Sequence, residues 1–173
     1  AGSDARMNGC ELPVVINSGS GNQGLTVSVP LIIYAEREHL DKEKLYRALI
    51  ISNLTAIHLK TEIGRLSAFC GAVSAGAACG AGLAYLKDAS EEVMNHTIVN
   101  ALAITSGIIC DGAKASCAAK IAVSVEAGIL GYDMYMNGQQ FYGGDGIISK
   151  GIENTIHNIG VLGSQGMAST DQE

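Results

Sequence analysis

Tryptophan is absent from this chain and aromatic residues make up only 5% of it, although 47% of its residues are hydrophobic. A core drawn from such a sequence must be assembled from aliphatic and small side chains. No run of Lys and Arg occurs, and the formal net charge is −6 with a sequence pI near 5.1. That balance argues against a nucleic-acid partner, which leaves a basic footprint. No stretch matches the roughly 20 apolar residues of a membrane span, so no membrane role is expected. The sequence shows no signal peptide, and its five cysteines are odd in number with apolar neighbours. Reduced thiols in a cytoplasm fit that usage better than a secreted disulfide framework. Neither a Cys-x-x-Cys pair nor a Cys/His ladder is present, so spacing alone does not indicate a zinc site.

What is present is mostly helical signal. At 173 residues the chain is long enough for a real core, and a single helical domain over 1–173 is expected. The expected fold class is mainly α: a compact helical domain around a small-residue-rich central helix. That helix is Ala72–Leu86, in a small-residue segment that begins at Leu66; it carries Gly, Ala, Ser and Cys nearly all round, so other backbones should come close to it. Residues Ala1–Cys10 read as a mobile lead-in and Leu12–Asn17 as a short β-branched run. Gly24–Glu38 reads as a helix kinked or restarted at Pro30. Asp41 caps a helix over Leu45–Glu62, on which Leu45, Leu49, Ile50, Leu54 and Ile57 recur at helical spacing, and Gly64 closes it. His58, among apolar neighbours on that helix, reads as a structural histidine. Ser90 caps a helix reaching about Thr105. Asp111 is expected to cap another from Gly112 to about Glu126, ended by Gly128 and Gly131. Gly143–Gly146 is a turn, and Ile147–Leu162 forms the last helix or pair of helices before a frayed end.

Two features carry chemistry. Gly19-Ser20-Gly21-Asn22-Gln23-Gly24 satisfies G-x-G-x-x-G, yet Pro30 and the lack of βαβ alternation argue against a dinucleotide site. The loop is then either a tight turn whose glycines permit positive φ or an anion cradle at a helix N-terminus, suited to a carboxylate as well as a phosphate. On the second reading Ser18, Gly19, Ser20, Gly21, Asn22 and Gln23 are substrate-binding candidates. The other feature is the thiols. Cys110, placed directly before a helix N-terminus, would have its thiolate stabilised there, with Cys117 two turns along the same face. Cys79 packs as a small apolar group. Buried structural thiols are the alternative for the whole set.

Asn17-Ser18-Gly19-Ser20-Gly21-Asn22-Gln23-Gly24, Cys70-Gly71-Ala72, and Ile109-Cys110-Asp111-Gly112-Ala113-Lys114 with Cys117 together resemble the C-terminal part of the L-serine dehydratase α-chain-like proteins. That family includes L-cysteine desulfidase and a group of uncharacterised bacterial relatives. The likeness extends through nearly the whole chain, including Ser3–Met7 and Gly160–Gly163. It implies an oxygen-sensitive [4Fe–4S] cluster held by three cysteines, with one iron open to a small amino-acid substrate. The implied reaction is α,β-elimination of L-serine or L-cysteine to pyruvate and ammonia, with water or sulfide released. The family pattern places metal ligands at Cys70 and Cys110. The third is Cys117 by analogy with the serine dehydratases, or lies in an N-terminal region missing from this sequence, as in the desulfidase branch. Residues 1–173 are accordingly expected to be the C-terminal portion of a longer lyase, inactive and without its cluster in isolation, with uncovered apolar faces that favour a homo-oligomer. Lys114 and His157 are the available catalytic bases. The alternative to an enzyme is a non-catalytic helical module for ligand binding or assembly, with structural thiols.

Overall fold

The side chains of the central helix are too small to keep its neighbours at a distance. The computed structural model describes residues 1–65 and 67–172, so the expected start of the small-residue segment at Leu66 lies outside the described residues, as does Glu173. Seven α-helices occur among the described residues: α1 Gly2–Met7, α2 Gly21–Arg37, α3 Lys42–Ile63, α4 Gly71–Leu86, α5 Glu91–Thr105, α6 Cys117–Met136 and α7 Ile152–Val161. A π-helical turn, Leu162–Gly166, and a 3-10 turn, Thr170–Gln172, follow. The only strand-like pairings among the described residues are two isolated bridges, Asn17 with Ser20 and Phe69 with Ile109. The mainly α expectation therefore holds. No helix is long and apolar enough to cross a membrane among the described residues.

From Ala72 to Leu86 every residue of α4 except Tyr85 is buried, and α2, α3, α5 and α6 all pack on it. Glycine makes the closest of these approaches possible. A Cβ on Gly76 would lie 2.4 Å from the Ser124 carbonyl oxygen of α6, and one on Gly128 would lie 2.7 Å from the Gly76 oxygen. Bulkier side chains fill the two ends. Leu59, Ile63, Phe69, Leu102 and Ile159 form a core between α3, α4, α5 and α7, while Leu31, Leu83 and Leu86 form a second with Ala35 and Ala48.

Several expectations change against this frame. Residues 2–7 are helical rather than a mobile lead-in, because the buried Ser3 and the half-buried Arg6 both donate to Asn22 Oδ1 at 3.1 Å. Residues 12–17 form no strand, and Leu12, Val15 and Ile16 are exposed. Helix α2 starts earlier, at Gly21, where Ser20 Oγ accepts the Gln23 N–H, and it runs through Pro30 without restarting. Asp41 and Ser90 cap α3 and α5 as expected, and Gly64 closes α3 at φ 95°. Leu45 and Leu49 pack against the second core as expected, but from Ile50 onward the face of α3 is inverted. Ala48, Ser52, Ala56 and Leu59 point inward, while Ile50 and Leu54 are 58% and 60% exposed. His58 is exposed too, and its Nε2 lies 2.8 Å from Glu153. Helix α6 begins at Cys117, not Gly112. Asp111 cannot cap it because its carboxylate is taken by Lys120. Gly128 and Gly131 do not end α6; they lie inside it, where α4 and α5 come closest. The last helix starts at Ile152, after the Gly143–Gly146 turn.

Gly76→Ala forces a methyl into a backbone contact, and overpacking of this kind costs roughly 1–3 kcal/mol. Urea denaturation should show that loss. Gly107→Ala, whose Cβ would meet nothing within 4 Å, should stay within about 0.5 kcal/mol of the parent. Equal midpoints for the two variants would contradict the packing described.

Candidate functional site

The short link before α4 and the link between α5 and α6 meet in an antiparallel bridge. The Cys70 N–H donates to the Ile108 oxygen at 3.2 Å, and the Cys110 N–H donates to the Ala68 oxygen at 2.7 Å. Phe69 and Ile109 are the non-hydrogen-bonded pair between these two bonds. Side chains alternate across such a ribbon, so Cys70 and Cys110 share the face opposite Phe69 and Ile109, as a diagonal pair. Diagonal positions lie roughly 7–8 Å apart, beyond the Cα separation of a disulfide. Both thiols are free.

A cavity of about 200 Å³ opens on this face, lined by Cys70, Cys110 and Cys117 together with Ser18, Gly19, Ser20, Asn22 and Gln23 of the glycine loop. The structure thus brings most of the sequence candidates to one place. Gly21 stands beside them as the first residue of α2, packed against Arg6. The loop is a tight turn, with Ser18 at φ 50° and Gly19 at φ 85°. Asn17 fixes it to α3 by donating to Asn53 Oδ1 at 2.9 Å. Asn22 also lines the cavity, but its amide oxygen is committed to Ser3 and Arg6. Gln23 is 6% exposed and its Oε1 has no partner among the described residues. Its carboxamide lies so close to Gly71 that a Cβ there would be 2.5 Å from Nε2.

The thiols differ. Cys70 sits at the N-cap of α4, 6% exposed. Burial raises its pKa, the Ala72 N–H opposes that rise, Cys110 adds to it and Lys120 reduces it. Cys110 and Cys117 are half-buried. Cys110 does not precede a helix, contrary to expectation. Cys117 is the first residue of α6, and its sulfur accepts the Lys114 N–H at 3.4 Å. Cys79 lies inside the bundle, away from the cavity, where burial alone pushes its thiol up to about 12. Among the described residues no three His, Cys, Asp or Glu side chains are gathered as one metal-ion site.

The most informative cavity residue lay outside the sequence candidates. Lys60 is 4% exposed and lines the cavity. Its pKa is lowered by burial, with Cys110, Cys70 and Asp171 opposing the shift. Position 60 shares the inward face of Ala56 and Ile63, a register visible only once the inverted face of α3 is known. Arg65 and Lys120 also line the cavity, and no Asp or Glu does among the described residues. Lys120 Nζ donates to the Ile109 oxygen at 2.9 Å and to Asp111, latching the link onto α6. That hydrogen bond is the main cause holding Asp111 below, and Lys120 above, their ordinary values. The two candidate bases do not reach the cavity. Lys114 is exposed beside Asp111 on a neighbouring surface, and the exposed His157 lies 3.6 Å from Glu62. A larger hollow of about 740 Å³ at the start of α5 holds no thiol and carries Glu91 and Glu92.

The buried Cys79 carries a pH signature. Its pKa is higher in the folded state than the ordinary 9.0, so its contribution to stability is complete below pH 9 and is lost as pH rises toward the folded value. Above pH 9 the urea midpoint of the parent should therefore fall more steeply than that of Cys79→Ala. Parallel curves would contradict this burial.

The family model described as serine dehydratase alpha chain matches residues 1–173. UPF0597 protein DSY1109 of Desulfitobacterium hafniense is 67% identical over 173 residues, covering 100% of this chain and 40% of that protein. UPF0597 proteins of Treponema denticola and Finegoldia magna are 58% and 56% identical, covering 99% of this chain and 40% and 41% of theirs. The chain thus spans about 40% of the length of these curated relatives. No solved structure matches it. By its full-length match to the family model, this chain belongs to the serine dehydratase alpha chain family.

Proposed function

We propose that this chain is the cluster-bearing part of an iron–sulfur lyase that carries out α,β-elimination on L-serine or L-cysteine. The observation that carries the reading is the placement of Cys70 and Cys110 on one face of the Phe69–Ile109 bridge, in the wall of a cavity that also contains the glycine loop. The donor set fits an iron–sulfur group in kind, since soft thiolates favour iron–sulfur over hard cations. Cys70 and Cys110 would hold it, with Cys117 or a residue from the rest of a longer polypeptide as the third ligand.

When bound, such a cluster supplies a Lewis-acidic iron that makes the substrate's β-hydroxyl or β-thiol a better leaving group. The chain's own residues bind and orient. The Asn22 N–H, at the second position of α2 and in a residue that lines the cavity, has no intrahelical acceptor and would meet a carboxylate there. In the reaction the Cα–H bond breaks and its proton goes to a base. The Cβ–O or Cβ–S bond breaks, and the departing hydroxide or hydrosulfide takes up a proton to leave as water or hydrogen sulfide. The aminoacrylate tautomerises to an imine, which water converts to pyruvate and ammonia. Five free thiols suit a reducing cytoplasm.

We further infer that the remainder of a longer polypeptide completes the domain and its site. Tyr46, Ile50, Leu54 and Ile57 form an exposed apolar stripe along α3, and Ile57 joins Ile16 in a hollow that shares Ser18, Gly19 and Lys60 with the cavity. An uncovered stripe continuous with the site, in a chain 40% as long as its relatives, is where the missing part would pack.

Anaerobic reconstitution with iron and sulfide tests the reading. The polypeptide extended to the relatives' length should develop visible charge-transfer absorption. Cys70→Ser or Cys110→Ser should abolish it, and Cys79→Ala should leave it intact. The 173-residue chain alone should retain no stoichiometric iron. Absorption indifferent to Cys70 and Cys110, or absent from the extended protein, would leave only a non-catalytic module.

A further inference from the structure

The bridge that aligns the two thiols is a single pair long, and a side chain stops it. In a continuing antiparallel ladder the next pair, Ala68 and Cys110, would exchange both of their hydrogen bonds. Here they make one. The Cys110 N–H donates to the Ala68 oxygen at 2.7 Å, but the Ala68 N–H donates to the Asp171 carboxylate. The Cys110 oxygen accepts no backbone N–H among the described residues. Asp171, in the 3-10 turn Thr170–Gln172, thus fills the place of a backbone carbonyl. At the other end the ribbon stops on its own backbone, where the Ile108 N–H turns to Thr105 and the Cys70 oxygen accepts the Val73 N–H.

Asp171 is itself held in place. Its N–H donates to the Met167 oxygen at 3.1 Å, and Met167 and Leu162 pack against the core that contains Phe69 and Cys70. Ser67 ties the same two segments a second time, donating to the Gly163 oxygen at 2.7 Å and accepting the Phe69 N–H at 3.0 Å. The segment before α4 is therefore gripped by the Cys110 link on one edge and by residues 163–171 as well. Ala68 is only 6% exposed, so without Asp171 its N–H would be left without an acceptor where water has little access.

We propose that Asp171 is a positioning residue for the thiol pair: by taking the Ala68 N–H it ends the ribbon at Cys110 and fixes the backbone on which Cys70 and Cys110 stand. It acts through the Ala68 peptide and not by contact with a substrate. What the geometry asks of position 171 is an oxygen acceptor at that reach, so asparagine should serve and alanine should not. The consequence for a cluster rests on the lyase reading above, whereas the positioning of the thiols does not.

Alkylation of the iron-free extended polypeptide by iodoacetamide, followed at each cysteine by mass spectrometry, tests the positioning. In Asp171→Ala, Cys70 and Cys110 should be modified roughly tenfold faster than in the parent, the shift in local opening expected when one hydrogen bond to a charged group is lost. The exposed Cys10 and the buried Cys79 should keep their parental rates. Asp171→Asn, which retains the acceptor oxygen, should match the parent at all four. Asp171→Ser, one atom short of the acceptor, takes the place of Asp171→Ala if that variant does not fold. After anaerobic reconstitution with iron and sulfide, Asp171→Ala should fall short of the parental absorption and Asp171→Asn should reach it. The proposal is overturned if Cys70 and Cys110 keep their parental rates in Asp171→Ala, if Asp171→Asn reacts as fast as Asp171→Ala, if Cys79 accelerates with them, or if Asp171→Ala attains the full absorption of a reconstituted parent. A parent that develops no absorption fails the lyase reading alone, and the alkylation rates then decide the role of Asp171.

Discussion

The fold depends on how closely α4 lets its neighbours approach. A helix with no bulky side chain over most of its length can be surrounded by four others only if their facing residues are small as well. That condition selects the inward face of α3, sets glycines within α6 and pushes Ile50, Leu54 and Ile57 outward. Dispersion contacts between backbones stand in for the interlocking of large side chains. The arrangement tolerates little enlargement at its contacts and leaves an apolar surface where larger residues had no room inside.

The same packing builds the cavity. Helices α2 and α4 both begin at its edge, and the Lys60 turn of α3 closes one side. The bridge between residues 69 and 109 then decides what the cavity contains. Without it, the link carrying Cys110 would keep the Lys120 latch and the packing of Ile108 on the core, but not its pairing with the segment before α4. With it, two thiols forty positions apart in the sequence share one face. Thiols, a positive wall and two helix starts meet there, and the proposed cluster rests on that meeting.

Much of this was legible in the sequence where the cause is local. Asp41 and Ser90 cap as their side chains dictate, and the run of small residues in α4 announced close packing. Reading failed where tertiary contacts decide. Asp111 has a cap's chemistry, but Lys120 takes its carboxylate, so the helix waits until Cys117. Gly128 and Gly131 look like stop signals and are instead contact points inside a helix. Residues 2–7 owe their order to Asn22, a partner no local pattern could reveal. The site shows the same division. The glycine loop and the thiols stood out as residue types, whereas Lys60 looks like any lysine on an amphipathic helix until the buried face is known.

The Phe69–Ile109 pairing can be observed directly by nuclear magnetic resonance. A non-hydrogen-bonded antiparallel pair brings its Cα atoms to about 4.5 Å and its Hα atoms closer still. The pairing predicts a strong Hα–Hα cross-relaxation peak between Phe69 and Ile109, with the Cys70 and Cys110 amides exchanging as slowly as those in the middle of α4. Absence of that peak, with both amides exchanging at loop rates, would mean that the two thiols are not held at one cavity.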